Sequence, residues 1–252
     1  VGYYVCESTD DGYGITGVTG SYGAGQGDIY FVKTDSDGSL LWTKSFGTTN
    51  DDQGYYIHQT ADNGYMIAGY INRLYTPNSN ADIVLIKTDS NGSLLWTHTY
   101  GGTNDDLCYS AQQTTDGGIV MVGKTASFGI GSNDIYLVKT DSNGSLQWSK
   151  TFGGSGSEEG CSVQQTSDGG YIITGSTSSF WNTTDVYLVK TDAAGNHLWS
   201  KTYGGSNLPD YGYSVLQSFD GGYAITGQIT SLADGMYLIK TDPIGYSGCH
   251  EN

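Results

Sequence analysis

Five aspartates, Asp10, Asp62, Asp116, Asp168 and Asp220, each stand before a glycine turn, at spacings of 52, 54, 52 and 52 residues with matching text on either side. Self-similarity at a fixed period of roughly 50 residues marks a repeat architecture, in which one unit cannot bury its apolar faces until its neighbours cover them.

One repeat shows what the unit is. From Gly212 the chain reads GYSVLQSFDGG, then YAITGQITS, then MYLIKTD, and the other copies align with it. Short runs of Tyr, Val, Ile, Leu and Thr alternate with period two between Asp-Gly, Asn-Gly and Gly-Gly pairs, which tolerate the positive φ of hairpin turns. No apolar pattern of helical period is sustained, and the 39 glycines disfavour long helices. The fifth copy predicts strand A at 213–218, strand B at 223–228 and strand C at 236–241. Strand D of the other copies is SLLWTKSF, SLLWTHTY, SLQWSKTF and NHLWSKTY. Four antiparallel strands per unit of this length predict an all-β, five-bladed β-propeller in a single domain, with blades at 1–48, 49–102, 103–154, 155–205 and 206–252. The last blade is expected to end in a shortened strand D over 246–252. A linear stack is the rival; it needs atypical polar end repeats, whereas the first and last copies keep the ordinary A-to-C pattern.

A second pattern runs through strands C and D. Asp35, Gly38 and Trp42 recur as Asp89, Gly92 and Trp96, as Asp141, Gly144 and Trp148, and as Asp192, Gly195 and Trp199. The pattern is similar to the tryptophan-docking motif of quinoprotein-type propellers, one residue shorter, and implies that each Trp packs against the adjacent blade. Over its whole length, with runs such as KTDSNGSLLW and TSDGGYIITG, the chain resembles a group of secreted or surface propeller-repeat proteins of bacteria and archaea. That resemblance implies a propeller of five or more blades and an extracellular location, and it carries no agreed activity. Lys33, Lys87, Lys139, Lys190 and Lys240 each precede the repeated Thr-Asp, so pairing with local carboxylates, or plain solvation, is expected of them. In the fifth copy Cys249 falls where the Trp should be.

Charge excludes one class of partner. With 26 acidic against 10 basic residues and a net charge of -16, the chain repels a phosphate backbone, so nucleic acid is not expected. No apolar run approaches the roughly 20 residues of a membrane-spanning helix, and a start already inside strand A suggests a mature or trimmed product. The composition, rich in Gly, Ser, Thr, Asn and Tyr, agrees with a secreted β repeat. Cys108 and Cys161 are candidates for one disulfide between neighbouring inner strands, and Cys6 and Cys249 for another joining the two ends; four buried thiols are the alternative.

Candidate function sits in the loops. The turns between A and B and between C and D are tight and repeated, whereas the loops from B to C and from D to A vary, and variation on one face of a rigid scaffold is where recognition develops. That face would present Tyr22, Tyr75, Phe128, Phe180 and Trp181 beside Asp51, Asp52, Asp105, Asp106, Glu158, Glu159 and Asp210. Aromatic faces among carboxylates suit sugar rings or a protein neighbour, and the acidic pairs are candidate Ca²⁺ ligands; no other cofactor is expected. The structural alternative folds the aromatics over the blade tops and uses the acids to cap turns. A glycosidase needs two placed carboxyl groups, but the inner-strand position reads Glu7, Gln59, Gln113, Gln165 and Gln217, with one acid. The leading expectation is therefore a non-enzymatic extracellular propeller that self-assembles into a filament, tube or surface layer. A carbohydrate-binding or adhesion module is the alternative, with surface glycans as partners, and a glycoside hydrolase is the third reading. Asn91, Asn143 and Asn182 lie in Asn-x-Ser/Thr sequons.

Overall fold

The computed structural model describes residues 1–76, 79–180, 183–204, 208–229 and 235–248. No helix occurs among them; nineteen strands form four four-stranded sheets and one three-stranded sheet, hydrogen-bonded in sequence order. The chain is all-β and of the β-propeller class, one sheet to each of the five repeats. It divides into two compact units, Val1–Gln113 and Thr114–Asn252.

The first unit holds blade one, with β1 (Gly2–Glu7), β2 (Tyr13–Thr19), β3 (Asp28–Thr34) and β4 (Leu40–Phe46). Blade two follows, with β5 (Asp51–Gln59), β6 (Tyr65–Arg73), β7 (Asp82–Thr88) and β8 (Leu94–Tyr100), and then β9 (Asp106–Gln113). The second unit holds β10 (Ile119–Thr125), β11 (Asp134–Thr140) and β12 (Leu146–Phe152) of blade three. Blade four is β13 (Glu158–Gln165), β14 (Tyr171–Thr177), β15 (Asp185–Thr191) and β16 (His197–Tyr203). Blade five is β17 (Asp210–Gln217), β18 (Tyr223–Ile229) and β19 (Gly235–Lys240). Among the described residues blade five shows no fourth strand: 241–248 form turns and irregular backbone, and 249–252 of the expected 246–252 lie outside them.

The turn residues do what their chemistry requires. Gly117, Gly169 and Gly221 take φ of 82°, 82° and 83° in the A-to-B turns, and Asp11 and Asn63 take 60° and 61° at the same position. Asp and Asn are the residues that adopt this left-handed conformation most readily after glycine. In the C-to-D turns, Oδ1 of Asp35, Asp89, Asp141, Asp192 and Asp242 accepts the N–H groups two and four residues on.

Between blades the core is a sandwich of two sheet faces. In the first unit Ile29, Phe31, Val84 and Ile86 pack with Ile57, Tyr65 and Ile67. In the second, Ile172, Val186 and Leu188 on the downstream face of blade four pack with Val215, Tyr223 and Ile225 on the upstream face of blade five. Each of these joints is clasped by the tryptophan of strand D. The Trp42 ring lies on Gly92, Trp148 on Gly195 and Trp199 on Gly245, so close that an added Cβ would meet the ring at 2.6, 2.6 and 2.9 Å. Trp148 also sets its edge on Tyr171 at 5.7 Å.

Candidate functional site

The five recurring aspartates and the five recurring lysines form one device. Lys33 pairs with Asp10, Lys87 with Asp62, Lys139 with Asp116, Lys190 with Asp168 and Lys240 with Asp220, at 2.7–2.9 Å. Each ammonium also donates to the carbonyl of the threonine that follows it, and each aspartate accepts the N–H of the glycine two residues on. That glycine is obligatory, because a Cβ on Gly118 would strike the Thr140 carbonyl and the Lys139 ammonium. The Thr60 hydroxyl, and then Lys87, hold the Asp62 carboxyl down to about 2. At Asp116 and Asp168 burial pushes upward, but the Thr114 or Thr166 hydroxyl and the lysine outweigh it and leave the value at about 2. Lys33 chiefly lowers Asp10, and Lys240 chiefly lowers Asp220. These lysines lock hairpins and are committed to that role.

The inner-strand amides are staples. Oε1 of Gln59 accepts the Thr9 N–H at 2.7 Å, that of Gln165 the Thr115 N–H at 2.9 Å and that of Gln217 the Ser167 N–H at 2.8 Å. Each tie runs to the A-to-B turn of the preceding blade. Gln113 in β9 instead faces His58, whose burial lowers its pKa against the opposing effect of that hydrogen bond.

On the loop face the aromatic residues fold down. Tyr22 stacks on Tyr30 at 6.0 Å, Phe128 tilts onto Tyr136 at 5.5 Å and Phe180 onto Tyr187 at 5.5 Å. Tyr75 donates to Asp51 at 2.8 Å, with the Arg73 guanidinium 4.9 Å from its ring centroid. Trp181 lies outside the described residues.

The acidic loop residues end up as caps. Asp51 accepts from Gln53 and Tyr70 as well as Tyr75. Asp52 accepts the N–H groups of Thr48 and Asn72, Asp105 that of Ala81, Asp106 that of Gly102 and Glu158 that of Gly154. Glu159 pairs with Lys124 at 3.1 Å. Among the described residues no group of three or more His, Cys, Asp or Glu side chains is placed to hold a metal ion. The candidate Ca²⁺ ligands are thus dispersed in twos, with backbone N–H groups on oxygens that a cation would need.

A carboxylate pair that sequence reading missed recurs at the joints. Asp52 faces Asp28, Asp82 faces Asp106, Asp134 faces Glu158 and Asp185 faces Asp210, and in each pair burial, with the neighbouring charge adding to it, raises the pKa of the first-named aspartate. A glycine at the end of strand D makes room for the pair: a Cβ on Gly47 would come within 2.5 Å of Asp52 and 2.7 Å of Asp28. The signal was present in the sequence as the acid that opens strand C after the variable loop in blades one to four.

The thiols correct the Cys108–Cys161 expectation. Cys6, Cys108 and Cys161 are not in disulfides; Cys108 donates to the Ser110 carbonyl at 3.5 Å, and burial pushes the Cys161 thiol up to about 12. Cys6 is likewise a free thiol, and the expected end-to-end bond involves Cys249, which lies outside the described residues. Asn91 and Asn143 are exposed in C-to-D turns; Asn182 is outside the described residues.

No family model matches the chain. It is 25% identical over 202 residues to the regulatory protein FlaEY of Caulobacter vibrioides, a match that covers 69% of this chain and 20% of that protein. The chain thus spans about a fifth of the length of that relative. Among solved structures, a protein of unknown function from Dyadobacter fermentans superposes with a TM-score of 0.60 at 11% identity, over 98% of this chain and 80% of the other. The WD40 domain of Neurospora crassa Pan2 gives 0.52 at 9% identity, over 96% and 79%. The fold is that of the β-propellers. At such identities the likeness concerns the fold alone.

Proposed function

We propose that this chain is a non-enzymatic extracellular scaffold that assembles with copies of itself into a filament, tube or surface layer. The observation that carries the reading is the downstream face of blade five, where Tyr213, Leu216, Met236 and Leu238 are exposed together. They flank a groove of about 390 Å³ lined by Tyr213, Thr226, Gly227, Gln228, Gly235 and Met236. A contiguous apolar patch of this kind on a folded domain is a protein-interaction site. The recurring polar residues support the non-enzymatic part, since the lysines, their aspartates and three of the inner-strand glutamines are committed to hairpin locks and staples. The acidic composition and the exposed sequons at Asn91 and Asn143 suit an extracellular protein.

A second reading, a carbohydrate-binding or adhesion module, is favoured by the exposed rings of Tyr22 and Tyr75, the latter held beside Asp51. Sedimentation velocity over a concentration series separates the two. Assembly shows as larger species growing with concentration; a single monomer boundary throughout, with binding on a glycan array, favours the module.

A further inference from the structure

The downstream face of blade five and the upstream face of blade one carry the two halves of a blade joint, each with apolar side chains exposed. On the downstream face of blade four, Val186 and Leu188 are fully buried beneath Val215, Tyr223 and Ile225. The pairing registers place Met236 and Leu238 of blade five at the equivalent positions, because Gln228 faces Met236 and Thr226 faces Leu238 as Ser176 faces Val186 and Thr174 faces Leu188. There they are 88% and 68% exposed. At the other end, the registers Val5 with Ile15 and Glu7 with Tyr13 make Val5, Ile15 and Tyr13 the counterparts of Val215, Ile225 and Tyr223. Val5 is 56% exposed, Tyr13 is exposed and Ile15 is half-buried.

Two further marks set blade one apart on the same face. Gly92, Gly195 and Gly245 each lie under a tryptophan from the preceding blade, whereas around Gly38 nothing lies within 4 Å of an added Cβ. Gln59, Gln165 and Gln217 each accept an N–H from the preceding blade's turn, and at that position blade one carries exposed Glu7. A carboxylate accepts from an N–H as an amide oxygen does, and more strongly. The N–H to which it would correspond, in the repeat's own grammar of Thr9, Thr115 and Ser167, is that of Phe219, whose side chain is fully exposed.

We infer that copies of this chain join head to tail, the downstream face of blade five in one copy seating on the upstream face of blade one in the next. The inference rests on the assembly reading and specifies its contact. Met236 and Leu238 occupy the positions of Val186 and Leu188, Val5, Ile15 and Tyr13 those of Val215, Ile225 and Tyr223, and Glu7 accepts the Phe219 N–H across the joint. The two faces complement one another as the two sides of the joint between blades four and five do. Such a heterologous contact propagates as an open string or closes as a ring, according to the rotation per copy.

Complementation tests it. M236E/L238E blocks the downstream face and V5E the upstream face, all at exposed positions, so circular dichroism and melting temperature should match those of the unaltered protein. Light scattering after size exclusion should find each variant monomeric at concentrations where the unaltered protein associates. An equimolar mixture, which retains one intact pair of faces, should give a dimer and nothing larger. Glu7→Gln should retain association, and Glu7→Ala should weaken it about tenfold, the loss of one good hydrogen bond. Variants that associate as the unaltered protein does, or a mixture that stays monomeric, would overturn the joint while leaving assembly by another surface standing. An unaltered protein that is monomeric at every concentration would overturn the assembly reading itself.

Discussion

The lysine of each repeat shows how a charged residue becomes structural. Lys139 is buried, with its ammonium spent on Asp116, Gln147 and the Thr140 carbonyl. Lys139→Met should cost about 1–3 kcal/mol in a urea titration, the penalty for a buried carbonyl left without its donor; no change in midpoint would mean that the lock is slack. The sequence made local pairing of these lysines legible, because they recur beside recurring acids. It did not make the thiols legible. Cys108 and Cys161 align one position apart in the repeat, but repeat alignment says nothing of how far apart two sulfurs lie or of what else each contacts. Iodoacetamide added in denaturant, without reductant, should label Cys6, Cys108 and Cys161. In the folded protein Cys161, with its pKa pushed up to about 12 by burial, should react slowly at pH 8.

Between elements, the joint is set by a ring on a glycine. Trp148 lies on Gly195, whose φ of 75° no β-branched residue adopts cheaply. Trp148→Ala should cost about 2–3 kcal/mol, less than the roughly 3–5 of a fully enclosed ring because this one is half-buried. The Trp-to-next-blade contact was readable from the recurrence of Asp, Gly and Trp. The facing carboxylates were not, since the acid opening strand C and the acid opening the next strand A are far apart in sequence and meet only when blades stack. Their signature is a pH profile. Asp52, Asp82, Asp134 and Asp185 are raised above their ordinary 3.8, so the folded chain binds protons more readily there and stability should rise as pH falls from 7 toward those values. Asp62, Asp116 and Asp168 are lowered to about 2, so their stabilisation is complete above 3.8 and is lost as pH falls from there through about 2. Urea midpoints measured from pH 7 downward should therefore pass through a maximum on the acid side of neutrality; a monotonic decline from pH 7 would contradict the joint carboxylates.

For the whole molecule, the five-fold text in the sequence was enough to read five blades, whereas the shortened strand D expected over 246–252 is not seen at 246–248, the part of it that the described residues include. What the text hides is exposure. Leu238 and Leu188 occupy the same line of the repeat, and only the stacking of blades shows that one is covered and the other is not. Likewise the text left Phe128 and Phe180 open between a ligand platform and a cover over the blade top, and it could not show that each lies on a tyrosine of its own blade. Replacing both with serine should lower the melting temperature and leave self-association unchanged; loss of association at an unchanged melting temperature would return the contact to the loop face. Electron microscopy of the purified protein without added ligand tests the central claim of self-assembly most directly. The account predicts ordered assemblies of many copies, whether filaments, tubes, sheets or closed rings, that become more abundant with concentration, and isolated single particles at every concentration would contradict it.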